Sequence, residues 1–233
     1  MKKRLVIILM ILFLITGCNK EEDNKVQDNL KQDLTIIAKN DDGTIKEGTL
    51  EGYTFTETDS ETDRIKIEMT DGRIILAVLS NKDTPITIAN FKKLVSEKYY
   101  DGLIFHRVIK DFMIQTGDPT GTGMGGSEET IKGEFSQNGV ENNLSHTKGV
   151  LSMARKGGNP ETAETMNSAS SQFFIVQADS TYLDGQYASF GRVFAGLDAV
   201  DDIAAVETDS NDKPITEQKI KTIRFIEIKQ DDK

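Results

Sequence analysis

From Arg64 onward the chain is written in short apolar runs cut by glycine-rich turns, and this punctuation restricts it to a fold of many short strands. Ile65, Ile67 and Met69 alternate with Lys66 and Glu68, the period of a strand with one buried face. Asp71-Gly72 is a hairpin signal between this run and Ile74 to Leu79. Further runs follow at Phe112 to Gln115, Gly149 to Ala154, Gln172 to Gln177, Ser189 to Phe194 and Ile220 to Ile228. Two segments break the pattern. Thr84-Pro85 opens a helix in which Ile88, Phe91, Leu94 and Val95 recur at helical spacing, and Leu197 to Ala205 reads as a second short helix. The expected architecture is mainly β, a closed barrel of largely antiparallel strands with two short α-helices.

Residues before Arg64 have a different character. Lys2-Lys3-Arg4 precedes an unbroken apolar run of 11 residues, Leu5 to Ile15, about half of what spans a bilayer. A charged start and a short apolar core describe an export signal over 1–17. Its end, Leu14-Ile15-Thr16-Gly17-Cys18, resembles a bacterial lipobox, with Ile15 and Thr16 as departures. The resemblance implies acylation of Cys18, the only cysteine, and cleavage just before it. The expected location is extracytoplasmic, anchored to the membrane by lipid on Cys18 rather than spanning it. Residues 19–63 hold 13 acidic and five basic side chains and few large apolar ones. That composition predicts a flexible acidic stalk over 18–63, with the globular domain occupying 64–233. An alternative adds Thr49 to Thr58, where Tyr53 and Phe55 alternate with Thr, as a short strand on the domain. The formal charge of −10 argues against a nucleic-acid partner. A monomer is expected.

The runs of the globular part carry specific motifs. Phe105-His106-Arg107-Val108-Ile109 leads to Phe112-Met113-Ile114-Gln115 and Gly117-Asp118. Gly149-Val150-Leu151-Ser152-Met153-Ala154, Ser171-Gln172-Phe173-Phe174-Ile175, Leu183-Asp184-Gly185 and Phe190-Gly191 follow in order. These blocks resemble the cyclophilin family of peptidyl-prolyl cis/trans isomerases over roughly 64–230. The resemblance implies an eight-stranded antiparallel β-barrel capped by two helices and an activity on X–Pro bonds of proline-containing polypeptides, with no metal or other cofactor. The alternative is a cyclophilin-fold binding protein or holdase without significant turnover.

By resemblance, Arg107, Phe112 and Gln115 are catalytic, and Met113, Gly123, Met124, Ala154, Arg155, Phe174, Tyr182, Leu183 and Tyr187 contact substrate. Phe112, Met113, Phe174 and Leu183 receive the proline ring, and Arg107 supplies a hydrogen-bond donor. Three departures stand out. Ala154-Arg155-Lys156 replaces the family's Ala-Asn-Ala and predicts a basic rim. The loop 157–169 is longer than in compact members and is expected to cover part of the groove. Tyr182 stands where many members have the Trp that donates to cyclosporin, which predicts reduced cyclosporin affinity. His106 and His146 read as structural, His106 pointing to the face opposite Arg107. Gly121 to Gly126 formally fits G-x-G-x-x-G, but no βαβ unit surrounds it.

Overall fold

Ile65, Ile67 and Met69 do enter a core, yet the alternate residues Lys66 and Glu68 are buried as well. A strand buried on both faces belongs to a structure of two layers. The computed structural model describes residues 32–79, 82–159 and 161–229; the expected export signal over 1–17 and Cys18 lie outside them.

The first layer is the barrel. Its strands are β4 (Arg64–Met69), β5 (Ile74–Leu79), β6 (Arg107–Ile109), β7 (Met113–Thr116), β8 (Val150–Met153), β9 (Phe173–Val176), β10 (Ser189–Ala195) and β11 (Ile220–Lys229). They lie in the order β11-β4-β5-β10-β8-β9-β7-β6, each pair antiparallel. The chain entering β6 returns to β11: Phe105 N–H donates to the Gln218 carbonyl at 2.9 Å and Ile220 N–H to the Leu103 carbonyl at 2.8 Å. These bonds join the two ends of the order, as the eight-stranded barrel requires. Inside lie Ile65, Ile67, Phe105, Ile114, Phe173, Ile175, Phe190 and Ile223.

Helices α1 (Pro85–Ser96) and α3 (Leu197–Ala204) insert Ile88, Phe91, Leu94, Val200 and Ile203 into the same core. Pro85 opens α1, and the free N–H groups of Ile86 and Thr87 are taken by the buried Glu134 carboxylate at 3.0 and 2.8 Å. A one-turn helix, α2 (Ala163–Met166), which periodicity had not marked, begins at a capping box between Thr162 and Thr165.

The second layer corrects the expectation of a flexible stalk. Residues 34–57 form a meander, β1 (Leu34–Lys39), β2 (Ile45–Leu50) and β3 (Tyr53–Glu57), and β3 pairs with Ile226 to Lys229 of β11. The alternative strand over 49–58 is instead the end of β2, a turn at Glu51-Gly52 and β3, with Thr49 paired to Thr54 across the hairpin. Leu34, Ile45, Leu50 and Phe55 are buried. Lys66 is ion-paired to Glu57 at 2.6 Å and to Glu68 at 2.7 Å, and it also donates to the Ile45 carbonyl. The Gln32 amide exchanges hydrogen bonds with the Ile74 backbone, and the Tyr53 ring meets Phe194 edge-on at 5.0 Å. The acidic residues that suggested solvation are in part pairing partners for the barrel's outer face.

Candidate active site

Strand alternation sorts β7, β8 and β9 into two apolar sets. Ile114, Leu151, Phe173 and Ile175 face the barrel interior, while Met113, Val150, Phe174 and Val176 form a second cluster with Leu183 on the outer face. Phe112, Ala154 and Tyr187 pack against that second cluster. The register sets Arg107 opposite Gln115 on β6 and β7, and Gln115 opposite Phe174 on β9. A cation, an amide and an apolar cup thus share one face by strand pairing alone.

They open on a cavity of about 250 Å³. Arg107, Phe112, Met113, Gln115, Gly123, Ala154, Arg155, Phe174, Leu183 and Tyr187 line it, together with His106, Thr122 and Asn211, which the sequence reading had not placed there. His106 is buried and lines the cavity, so it forms a wall of it rather than turning away. Burial lowers its pKa, with Asp118 opposing. Two expected contacts lie elsewhere. Met124 lines a second cavity, and Tyr182 is 64% exposed beside the cup, its ring centroid 6.1 Å from that of Phe112.

Arg107 is half exposed. Its Nη1 lies 3.5 Å from Gln115 Oε1, and its Nε lies 3.5 Å from Asp212 Oδ2. Gln115 Nε2 donates to Gln172 Oε1 at 2.8 Å, and Gln172 Nε2 donates to the Gly123 and Gly125 carbonyls at 3.0 and 2.6 Å. A polar chain therefore runs from Arg107 to the glycine loop. That loop wraps the buried Asp118, which accepts from the N–H groups of Thr120, Thr122, Gly123 and Gly125. Burial would raise the Asp118 pKa, but the bonds from Thr120, Gly125 and Gly123 outweigh it and hold it at about 2. A Cβ on Gly125 would overlap Asp118 Oδ1. Because Asp118 occupies the loop's inward N–H groups, the G-x-G-x-x-G pattern has none of these free for a pyrophosphate.

Below the cup, His146 Nδ1 lies 2.7 Å from Asp184 Oδ1 and its Nε2 lies 2.9 Å from Ser152 Oγ. The order Ser–His–Asp is that of a hydrolase triad, but Ser152 is fully buried on β8, opposite Phe174, and cannot meet a substrate. The imidazole stacks under Phe174 at 6.2 Å and supports it. Burial lowers the His146 pKa even though Asp184 favours protonation, which keeps the ring neutral at neutral pH.

The expectation of a basic rim fails at Arg155. Its side chain is 3% exposed, paired with Glu161 at 2.9 Å and stacked over the rings of Tyr187 and Phe135 at 4.8 and 5.3 Å. The bond from Arg155 holds the Glu161 carboxyl below its usual range. This pairing ties part of the long loop to the site. Gly157 and Ser168 of that loop border the second cavity, about 480 Å³, which shares Gln115, Gly123, Ala154 and Arg155 with the first.

The family profile described as cyclophilin type peptidyl-prolyl cis-trans isomerase matches residues 64–225. The chain belongs to the cyclophilin family. A peptidyl-prolyl cis-trans isomerase-like 1 of Neurospora crassa is 44% identical over 163 residues, 70% of this chain and 93% of the relative. The isomerase ppi1 of Schizosaccharomyces pombe is 43% identical over 157 residues, 67% and 94% of the two chains. Among solved structures, a cyclophilin-type isomerase of Cryptosporidium parvum superposes with a TM-score of 0.62 at 33% identity, covering 72% of this chain and 98% of its own. The same protein in the presence of the dipeptide Ala-Pro gives 0.61 at 31%, covering 72% and 99%. This cyclophilin is a peptidyl-prolyl cis/trans isomerase. The family match starts at β4, so β1 to β3 are an addition to the family domain.

Proposed function

We propose that this cyclophilin isomerises X–Pro bonds of extracytoplasmic proteins, with Arg107 as the donor to the twisted amide and Cys18 as a lipid anchor. The observation that carries the chemical part is the single cavity onto which Arg107, Gln115 and the cup of Phe112, Met113, Phe174 and Leu183 all open. Amide resonance raises a rotation barrier of roughly 18–20 kcal/mol. No nucleophile is needed to lower it. The cup holds the proline ring by burying apolar surface, equally in both isomers. At the midpoint of rotation the proline nitrogen regains its lone pair, and a guanidinium N–H can then donate to it. A bond of that kind is worth roughly 1.5–3 kcal/mol, so the remaining stabilisation comes from holding the flanking peptide still. The relative crystallised with Ala-Pro supports a proline-containing peptide as substrate.

Arg107→Ala should lower kcat/KM for a prolyl peptide by about 10–10³-fold and leave the melting temperature unchanged, since the side chain is half exposed. Arg107→Lys should recover little, because a point charge does not reproduce the planar fork. A folded Arg107→Ala protein as fast as wild type would remove Arg107 from the mechanism.

The address rests on Lys2-Lys3-Arg4, the apolar run that follows and Leu14 to Cys18. Fatty acid supplied to expressing cells should label the wild type and not Cys18→Ala. Equal labelling of both would exclude the anchor.

A further inference from the structure

The turn between α3 and β11 brings a carboxylate to Arg107 from a hundred residues along the chain. We propose that Asp212 is a positioning residue for the isomerisation, holding the Arg107 guanidinium by Nε so that its remaining donors face the cavity. The proposal rests on the assignment of Arg107 above.

Asp212 Oδ2 lies 3.5 Å from Arg107 Nε, the only ion pair of Arg107 among the described residues. Nε is the donor nearest the backbone. A carboxylate facing it restricts the side-chain torsions while Nη1 is held by Gln115 Oε1, and Nη2 has no hydrogen-bond partner among the described residues. The turn is fixed beside its target: Val108 N–H donates to the Asp212 carbonyl at 2.8 Å, one residue from Arg107. Asp209 Oδ1 accepts from the N–H groups of Asn211 and Lys213, and Lys213 Nζ donates to the Gly121 carbonyl at 3.2 Å. Asn211 itself lines the cavity. Asp212 has φ +63°, a conformation glycine adopts with less strain. What aspartate adds at this position is therefore its carboxylate and not its backbone.

The test uses the full chain with Asp212→Asn and Asp212→Gly, each alone and with Arg107→Ala. Both single variants should lose about 2–5-fold in kcat/KM at low ionic strength, mostly in kcat, the size expected for a half-exposed pair. The loss should shrink toward zero near 1 M salt, where the Debye length is about 3 Å. Asp212→Gly should melt no lower than wild type. The Arg107 Nε resonance should move in Asp212→Asn, a readout that does not depend on Arg107 being catalytic. If Arg107→Ala alone is fully active, the assignment of Arg107 fails while the resonance still reports the pairing. An unshifted Arg107 resonance overturns the proposal. So does a loss that persists in 1 M salt or that appears undiminished in the Arg107→Ala background.

Discussion

At the residue scale the site is a set of side chains each held by another. Arg107 meets Gln115 and Asp212, Gln115 donates to Gln172, Gln172 binds the glycine loop, and Phe174 rests on His146. Such support lowers the cost of ordering the site when substrate binds. Tyr182 is the exception, exposed at the edge of the cup with its ring tilted toward that of Phe112. Tyr182→Trp should therefore strengthen cyclosporin binding by about 2–10-fold, the worth of one added hydrogen bond, with little change in melting temperature. Titration calorimetry measures this; no gain would point to the Arg155–Glu161 loop, and not Tyr182, as what limits access. The cup and Arg107 were legible because they sit in contiguous motifs. Asn211 and Asp212 were not, since their place beside β6 depends on one long-range backbone bond and no local periodicity announces it. His106 was misplaced because strand alternation was applied at the first residue before β6, where the chain is not yet in the strand.

At the scale of elements, seven of the barrel's strands and its two helices were marked by short apolar runs and helical spacing, with the count of eight implied by the family resemblance, whereas the β1–β3 meander was not marked. Its apolar residues Leu34, Ile45, Leu50 and Phe55 are irregularly spaced, and the acidic excess masked them. Composition cannot see that Glu57 lies against a buried Lys66, or that Glu51 accepts from the Gly196 N–H before α3. Lys66 would be a costly buried cation without Glu57 and Glu68. The meander is thus part of the folding unit, and its removal would leave β4 with a charged outer face and β11 with four residues unpaired. Phe55 packs where Gly48 has no side chain: a Cβ there would come within 3.0 Å of the ring. Phe55→Ala should cost about 3 kcal/mol or more and lower a single cooperative melting transition by roughly 6–15 °C. A separate early transition, with the main one unmoved, would mean that the meander folds apart from the barrel.

For the molecule as a whole, the buried titratable groups define how stability depends on pH. His106 and His146 both have lowered pKa values, burial being the first cause in each. The unfolded chain binds protons at these two sites below about pH 6.5 while the folded protein resists them, so their contribution is full above that value and is lost as pH falls toward the folded values. Asp118 acts in the same sense at lower pH. Its carboxyl is held at about 2 against an ordinary 3.8, a difference worth about 2 kcal/mol that disappears as pH falls through that interval. Urea unfolding followed from pH 8 to pH 3 should therefore show a plateau, a decline beginning just below 6.5, and a steeper decline below 4. His146→Gln should flatten the first decline, because one of its two proton-binding sites is gone, while Asp118→Asn should remove part of the second. Stability that rises as pH is lowered from 7 to 5.5 would mean that the folded chain gains protons in this range and would overturn the reading that burial of the two imidazoles sets the slope.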